Sequence, residues 1–125
     1  MEKKKILIIE DDIVLQKALA EYLASENFEV KCSSDGEVGI KMAIEESPDL
    51  ILLDIVLPKK DGYAVLEDVR KTESIKNVPI VLLTNLGSIS DVEKALGLGA
   101  TTYLVKADYK LEEVTAKVKE ILKIQ

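Results

Sequence analysis

The chain has 125 residues, 47% of them hydrophobic and 32% charged, and a formal net charge of -6. That length suits one domain with one core, and no apolar run approaches the roughly 18 residues of a membrane span. The acidity argues against direct nucleic-acid binding; the lone Cys32 excludes an internal disulfide, and the absence of histidine removes imidazole metal ligands, serine–histidine pairs and phosphohistidine on this chain.

The basic start, residues 1–5, is followed only by Ile6 to Ile9 before Glu10-Asp11-Asp12. That is too short for the roughly 7–15 apolar residues of a signal-peptide core. A single cytoplasmic domain over 1–125 is expected, with Lys3, Lys4 and Lys5 as a solvated strand entry.

Residues 5–10 are the first expected strand, running from Ile6-Leu7-Ile8-Ile9 into the acids. A helix follows with the stripe Val14, Leu15, Ala18, Leu19, Tyr22 and Leu23, and Asn27 ends it. Residues 28–33 alternate apolar and polar, as an edge strand does, with Cys32 on the side of Phe28 and Val30 as a buried thiol. After the turn Ser34-Asp35-Gly36, a second helix turns Val38, Met42 and Ala43 to the core. Gly39 weakens it by up to about 1 kcal/mol relative to alanine, which a close helix–sheet contact would explain. Ser47-Pro48 ends it.

Residues 49–54 run Leu50-Ile51-Leu52-Leu53 straight into Asp54, the pattern of a strand buried on both faces that ends in an ionisable group. Such a group is costly to bury unless paired or used. A loop with Pro58 leads through Asp61-Gly62 to a third helix carrying Tyr63, Val65, Leu66 and Val69. Residues 78–84 form a fourth strand, where Pro79 is tolerable near the start. The fourth helix is expected to take Ser90 or Asp91 as its cap, to turn Val92, Ala95 and Leu96 inward and to stop at Gly97 and Gly99. Residues 101–106 are a short, mixed edge strand; the fifth helix carries Leu111, Val114, Val118, Ile121 and Leu122.

Five strands alternating with five helices imply an α/β fold: a doubly wound parallel sheet covered on both faces, joined by right-handed crossovers. The first, third and fourth strands are the most apolar and should be central. That gives the order 2-1-3-4-5 of flavodoxin-like folds, with the functional site beyond the carboxyl ends of strands 1 and 3.

At that end stand Glu10 and Asp11, Asp54, Thr84 and Lys106. Two carboxylates about 4 Å apart repel by roughly 4 kcal/mol at an effective dielectric of 20. Such a cluster needs a compensating cation, or one member takes up a proton. The oxygen-only donor set selects a hard divalent ion, Mg²⁺ or Mn²⁺. Lys106 adds a positive charge and Thr84 a hydroxyl donor, equipment for stabilising a phosphoryl group, and a carboxylate can be the nucleophile. Asp12 reads as helix N-terminal charge.

The chain resembles a response-regulator receiver domain over essentially its whole length. The motifs are Ile6 to Asp12, Leu53-Asp54-Ile55-Val56-Leu57-Pro58 with Asp61-Gly62, Val81-Leu82-Leu83-Thr84, and Gly99-Ala100 through Tyr103-Leu104-Val105-Lys106. The spacings from Asp54 to Thr84 and to Lys106 agree with the family's. The resemblance implies that Asp54 accepts a phosphoryl group from the phosphohistidine of a sensor histidine kinase or phosphotransfer protein. Asp11, Asp54 and the main-chain carbonyl of Val56 would bind Mg²⁺, with Glu10 acting through water. Lys106 would contact the phosphoryl group, Thr84 would swing to it, and Tyr103 would turn inward. The output surface would be helix 4, strand 5 and helix 5, residues 88–122, facing a downstream protein of unknown identity, in a monomer or a weak phosphorylation-dependent dimer. No turnover of an external substrate is implied.

Two departures stand out. Ala107 follows Lys106 where the family has proline, often cis; a cis bond without proline costs about 3 kcal/mol, so a trans bond is expected. Val56 and Leu86, two residues after Asp54 and Thr84, are apolar, which predicts a long-lived phosphoaspartate. The rivals are a pseudo-receiver scaffold that takes no phosphate, a metal-dependent phosphatase, which would want an acid at position 56, and an FMN module, disfavoured by acidic strand ends and 4% aromatics.

Overall fold

Where apolar residues run unbroken, the chain forms strands at the centre of a sheet. The structure is a computed structural model and describes residues 3–84, 89–106 and 110–124. Among the described residues, strands and helices alternate as β1 (Lys5–Ile9), α1 (Ile13–Ser25), β2 (Glu29–Ser33), α2 (Gly36–Glu46), β3 (Leu50–Asp54), α3 (Gly62–Lys71), β4 (Ile80–Thr84), α4 (Ile89–Gly97), β5 (Thr102–Val105) and α5 (Leu111–Leu122). All strand pairs are parallel, in the order β2-β1-β3-β4-β5, as expected. Among the described residues no helix is long and apolar enough to cross a membrane.

Period-two alternation sends the central strands' side chains to two cores. Leu7, Ile9, Ile51, Leu53, Ile80 and Leu82 pack with Ala43 of α2, Val65, Leu66 and Val69 of α3 and Ala95 of α4. Ile6, Ile8, Leu50, Leu52, Val81 and Leu83 pack with Leu19 and Leu23 of α1 and Val114 and Val118 of α5. Each of these side chains loses essentially all contact with water, worth about 1.5–3 kcal/mol for a large aliphatic group. The edges β2 and β5 are only partly covered. Cys32 is half-buried against the second core, and burial raises its thiol pKa.

Caps explain the boundaries. Asp12, Asp35 and Asp61 accept backbone N–H groups at the starts of α1, α2 and α3. Asn27 at φ 73° and Ser47 at φ 47° turn the chain out of α1 and α2. Strand β4 begins at Ile80, not at residue 78, because Pro79 has no N–H to give the ladder; its carbonyl still accepts from Ile51 N at 2.9 Å.

Five expectations are corrected. Val14 is 80% exposed, Val38 44% and Leu96 40%, so these are not core positions. Val14 and Val38 lie in first turns, α1 and α2 turning inward only further along, and Leu96 is one residue from the end of α4. Ser90 and Asp91 lie inside α4, whose first described residue is Ile89. Lys5 is ion-paired, at 3.0 Å from Glu46 Oε1 and 3.7 Å from Glu29 Oε2. The expected contact at Gly39 is found: a Cβ there would lie 2.7 Å from Ile9 Cδ1, so α2 sits directly on the Ile9 side chain, which a larger residue would have to displace.

Candidate functional site

Register assembles the site. Ile9 pairs with Leu53, so Glu10 and Asp54 leave neighbouring strands side by side. Asp54 pairs with Leu83 beside Thr84, and Thr84 pairs with Val105, the residue before Lys106. Four strand ends therefore converge at one edge of the sheet.

Glu10 is fully buried and Asp54 nearly so, while Asp11 is exposed. One carboxylate oxygen from each of the three can be chosen so that all lie within 4.8 Å of one another. Lys106 Nζ sits 2.6 Å from Glu10 Oε1 and 3.0 Å from Asp54 Oδ2. The acids thus share a cation of their own, a pairing that the sequence reading had not assigned to Lys106. Burial pushes the Glu10 carboxyl up to about 7, against the pull of Lys106 and the backbone N–H of Asp12, and the neighbouring Asp54 adds to the rise. Burial would lower the Lys106 pKa, but its bonds to Glu10 and Asp54 outweigh that and raise it. One remedy for a crowded acid cluster, a cation, is therefore built in, and burial shifts Glu10 toward the other, a retained proton.

The residues fit a hard divalent cation. The donors are oxygens only, Asp11 opens the cluster to solvent, and the buried Glu10 Oε1 is met among the described residues by the Lys106 ion pair alone. Asp54, Asp11 and Glu10 are brought together as expected. Thr84 closes β4, its hydroxyl lying outside the described part of the structure, as do Leu86 and the Lys106–Ala107 bond. Tyr103 is 41% exposed on β5 and Val56 71% exposed in the loop after β3. A cleft of about 300 Å³ beside Pro48, Ile75 and Pro79 opens at the strands' opposite ends, away from the acids.

The loop carrying Asp54 is braced by Gly62, whose N–H donates to Ile55 O at 2.7 Å. A Cβ on Gly62 would lie 2.4 Å from Asp54 O and 2.6 Å from Ile55 Cα, both backbone atoms that cannot rotate aside. Gly62→Ala is expected to cost about 2–3 kcal/mol by overpacking, lowering Tm by on the order of 10 °C; an unchanged thermal melt would refute this close packing. Sequence reading missed Gln16, whose amide reaches the ends of β1 and β2; a polar residue on a helix carries no signal of such a role.

Comparison with known proteins is consistent with this geometry. A family model described as response regulator receiver domain matches residues 6–119. The DNA-binding dual master transcriptional regulator RpaA of Synechocystis is 36% identical over 119 residues, 95% of this chain and 49% of RpaA. The chain spans about half the length of the curated relatives it matches. A two-component response regulator from Clostridium difficile superposes with TM-score 0.89 at 30% identity, covering 97% of both chains. The receiver domain of the sensor histidine kinase PA1611 from Pseudomonas aeruginosa, solved with magnesium coordinated in its active-site cleft, superposes with TM-score 0.87 at 31% identity, over 95% of this chain and 97% of that one.

Proposed function

We propose, for a chain that belongs to the response-regulator receiver family, that Asp54 is the phosphoryl acceptor of a two-component relay. The observation that carries this is the trio Glu10, Asp11 and Asp54 gathered around Lys106 at the carboxyl ends of the strands. An Asp54 carboxylate oxygen attacks the phosphorus of a phosphohistidine. A P–O bond forms, the P–N bond breaks, and the electron pair leaves with the imidazole nitrogen of the kinase or phosphotransfer protein. The product is an acyl phosphate.

Asp11, Asp54 and the Val56 carbonyl would hold Mg²⁺ (or Mn²⁺), with Glu10 supporting it through water. When bound, the ion neutralises charge on the phosphoryl oxygens. Lys106 is already against Asp54 and needs only to exchange carboxylate for phosphoryl oxygen. Thr84 and Tyr103 form the two-state element, the exposed Tyr103 turning inward on phosphorylation. The responding surface is α4, β5 and α5, taken up by a downstream protein partner, in a monomer or a weak phosphorylation-dependent dimer. The domain works in the cytoplasm as one receiver unit, binds neither membrane nor nucleic acid itself, and turns over no external substrate.

The test is incubation with Mg²⁺ and a small acyl-phosphate donor, followed by intact mass. A gain of one phosphoryl group, mapped to Asp54, is expected; no gain with any donor overturns the proposal in favour of a constitutive scaffold. Mg²⁺ alone should raise Tm, because it binds the folded state preferentially; superimposable melts would count against the metal site. The phosphorylated form should be long-lived, since the exposed apolar side chain of Val56 offers no hydrogen bond to a hydrolytic water. A decay assay completed within seconds would contradict that.

A further inference from the structure

We infer that Gln16 is a positioning residue for the acid site: its amide fixes the Glu10–Asp11 peptide plane and thereby aims both carboxylates. This rests on the receiver reading above. Gln16 Nε2 lies 2.8 Å from Glu10 O, 3.1 Å from Ser33 O and 3.3 Å from Ser34 Oγ. The first two partners are carbonyls, which can only accept, so it is the NH₂ end of the amide that faces them.

The need for such a clamp follows from where the ladder stops. The last β1–β2 pair is Ile9 with Ser33, so Glu10 lies one residue beyond the strand. Its N–H still donates to Ser33 O at 3.0 Å, but its carbonyl is held by Gln16. That carbonyl belongs to the planar unit that ends at Asp11 Cα. Holding its oxygen sets the plane, and with it the direction in which Asp11 leaves the backbone. Glu10 is held on both sides of its own Cα, by β2 through the N–H and by α1 through the C=O.

Gln16 is itself fixed. Its N–H donates to Asp12 O at 2.8 Å, and Asp12 Oδ1 accepts from Val14 N and Leu15 N in the same turn. The clamp is neutral, so it orients the acids without altering the site's charge. Groups that orient metal ligands in this way typically change metal affinity about 10–100-fold when removed.

The experiment compares the wild type with Gln16→Met, which keeps the length and removes the donors, using Mn²⁺ alone followed by its electron paramagnetic resonance signal. Mn²⁺ binding weaker by roughly tenfold or more is expected, with the Mg²⁺ needed for half-maximal phosphorylation raised similarly and the rate at saturating Mg²⁺ nearly kept. Equal Mn²⁺ affinity overturns the assignment. Gln16→Glu separates donation from charge: its added carboxylate would by charge alone tighten binding, so weaker binding supports the clamp and tighter binding overturns it. In metal-free protein, exchange of the Glu10 amide, which donates to Ser33 O beside the clamp, should accelerate roughly tenfold in Gln16→Met, about what the loss of one net hydrogen bond allows; unchanged exchange also overturns it. A wild type that binds no Mn²⁺ would sink the receiver reading instead, leaving the exchange measurement to decide on Gln16.

Discussion

Asp54→Asn is expected to accept no phosphoryl group from any donor at any Mg²⁺ concentration, and yet, without metal, to melt at or above the wild-type temperature. The two halves have one cause. Wild-type Lys106 is shared between Glu10 and Asp54 at 2.6 and 3.0 Å, so once Glu10 is ionised two buried carboxylates have one positive charge between them. Removing the charge of Asp54 leaves Glu10 and Lys106 as a balanced pair. Glu10, pushed up to about 7 chiefly by burial and in part by Asp54, then titrates lower and opposes folding less at neutral pH. The amide is no nucleophile toward phosphorus, and it supplies no charge to a cation. The Mg²⁺-induced rise in Tm should therefore shrink; each tenfold loss of affinity takes away about 1.4 kcal/mol of stabilisation at saturating metal. Intact mass and melting curves with and without Mg²⁺ check both halves. A phosphoryl gain in the variant, or an undiminished Mg²⁺ shift, would refute the assignment.

The same opposition between folding and function explains what was legible in the sequence. The sheet order could be read because the central strands are apolar on both faces: Ile6 to Ile9, Leu50 to Leu53 and Ile80 to Leu83 are all fully buried. Asp54 stood out because nothing in folding favours an acid at the end of such a run. Helix faces were less legible. An apolar stripe gives the direction of a helix's inner face but not where along its length that face meets the sheet, so Val14, Val38 and Leu96 were placed inward and are exposed. Gln16 gave no signal, since its role depends on the ladder ending one residue before Glu10. Gly39 could be flagged as costly but not explained until Ile9 was found beneath it.

Lys106→Met is expected to destabilise the metal-free protein by about 3–5 kcal/mol at pH 8, the cost of leaving a buried charge without its partner, and by less at pH 5, where the Glu10 part of that cost is relieved while Asp54 still lacks its cation. The sign follows from Glu10. Its folded-state pKa of about 7 lies above a glutamate's ordinary 4.5, so between these values the folded state holds a proton there that the unfolded state has lost. Stability is then greatest at low pH and falls as pH rises from about 4.5 to 7. Lys106 lowers the Glu10 pKa; without it the proton is held more tightly and the fall extends above pH 7. Lys106 itself, its pKa raised by its two acid partners, stays charged throughout this range in the wild type and adds no slope of its own. The gap between wild type and variant should therefore stay nearly flat up to about pH 6 and widen through pH 7 to 8, where Glu10 loses its folded-state proton in the wild type but still holds it in the variant. Mg²⁺ should close part of it, because a divalent ion among Glu10, Asp11 and Asp54 replaces the missing positive charge, and the Mg²⁺-induced rise in Tm should exceed that of the wild type. Phosphorylation should nonetheless stay slow, since the group that would meet the phosphoryl oxygen is gone. Urea titrations across this pH range, with and without Mg²⁺, measure all of this; a gap that does not change with pH would mean that Lys106 stabilises by packing rather than by charge.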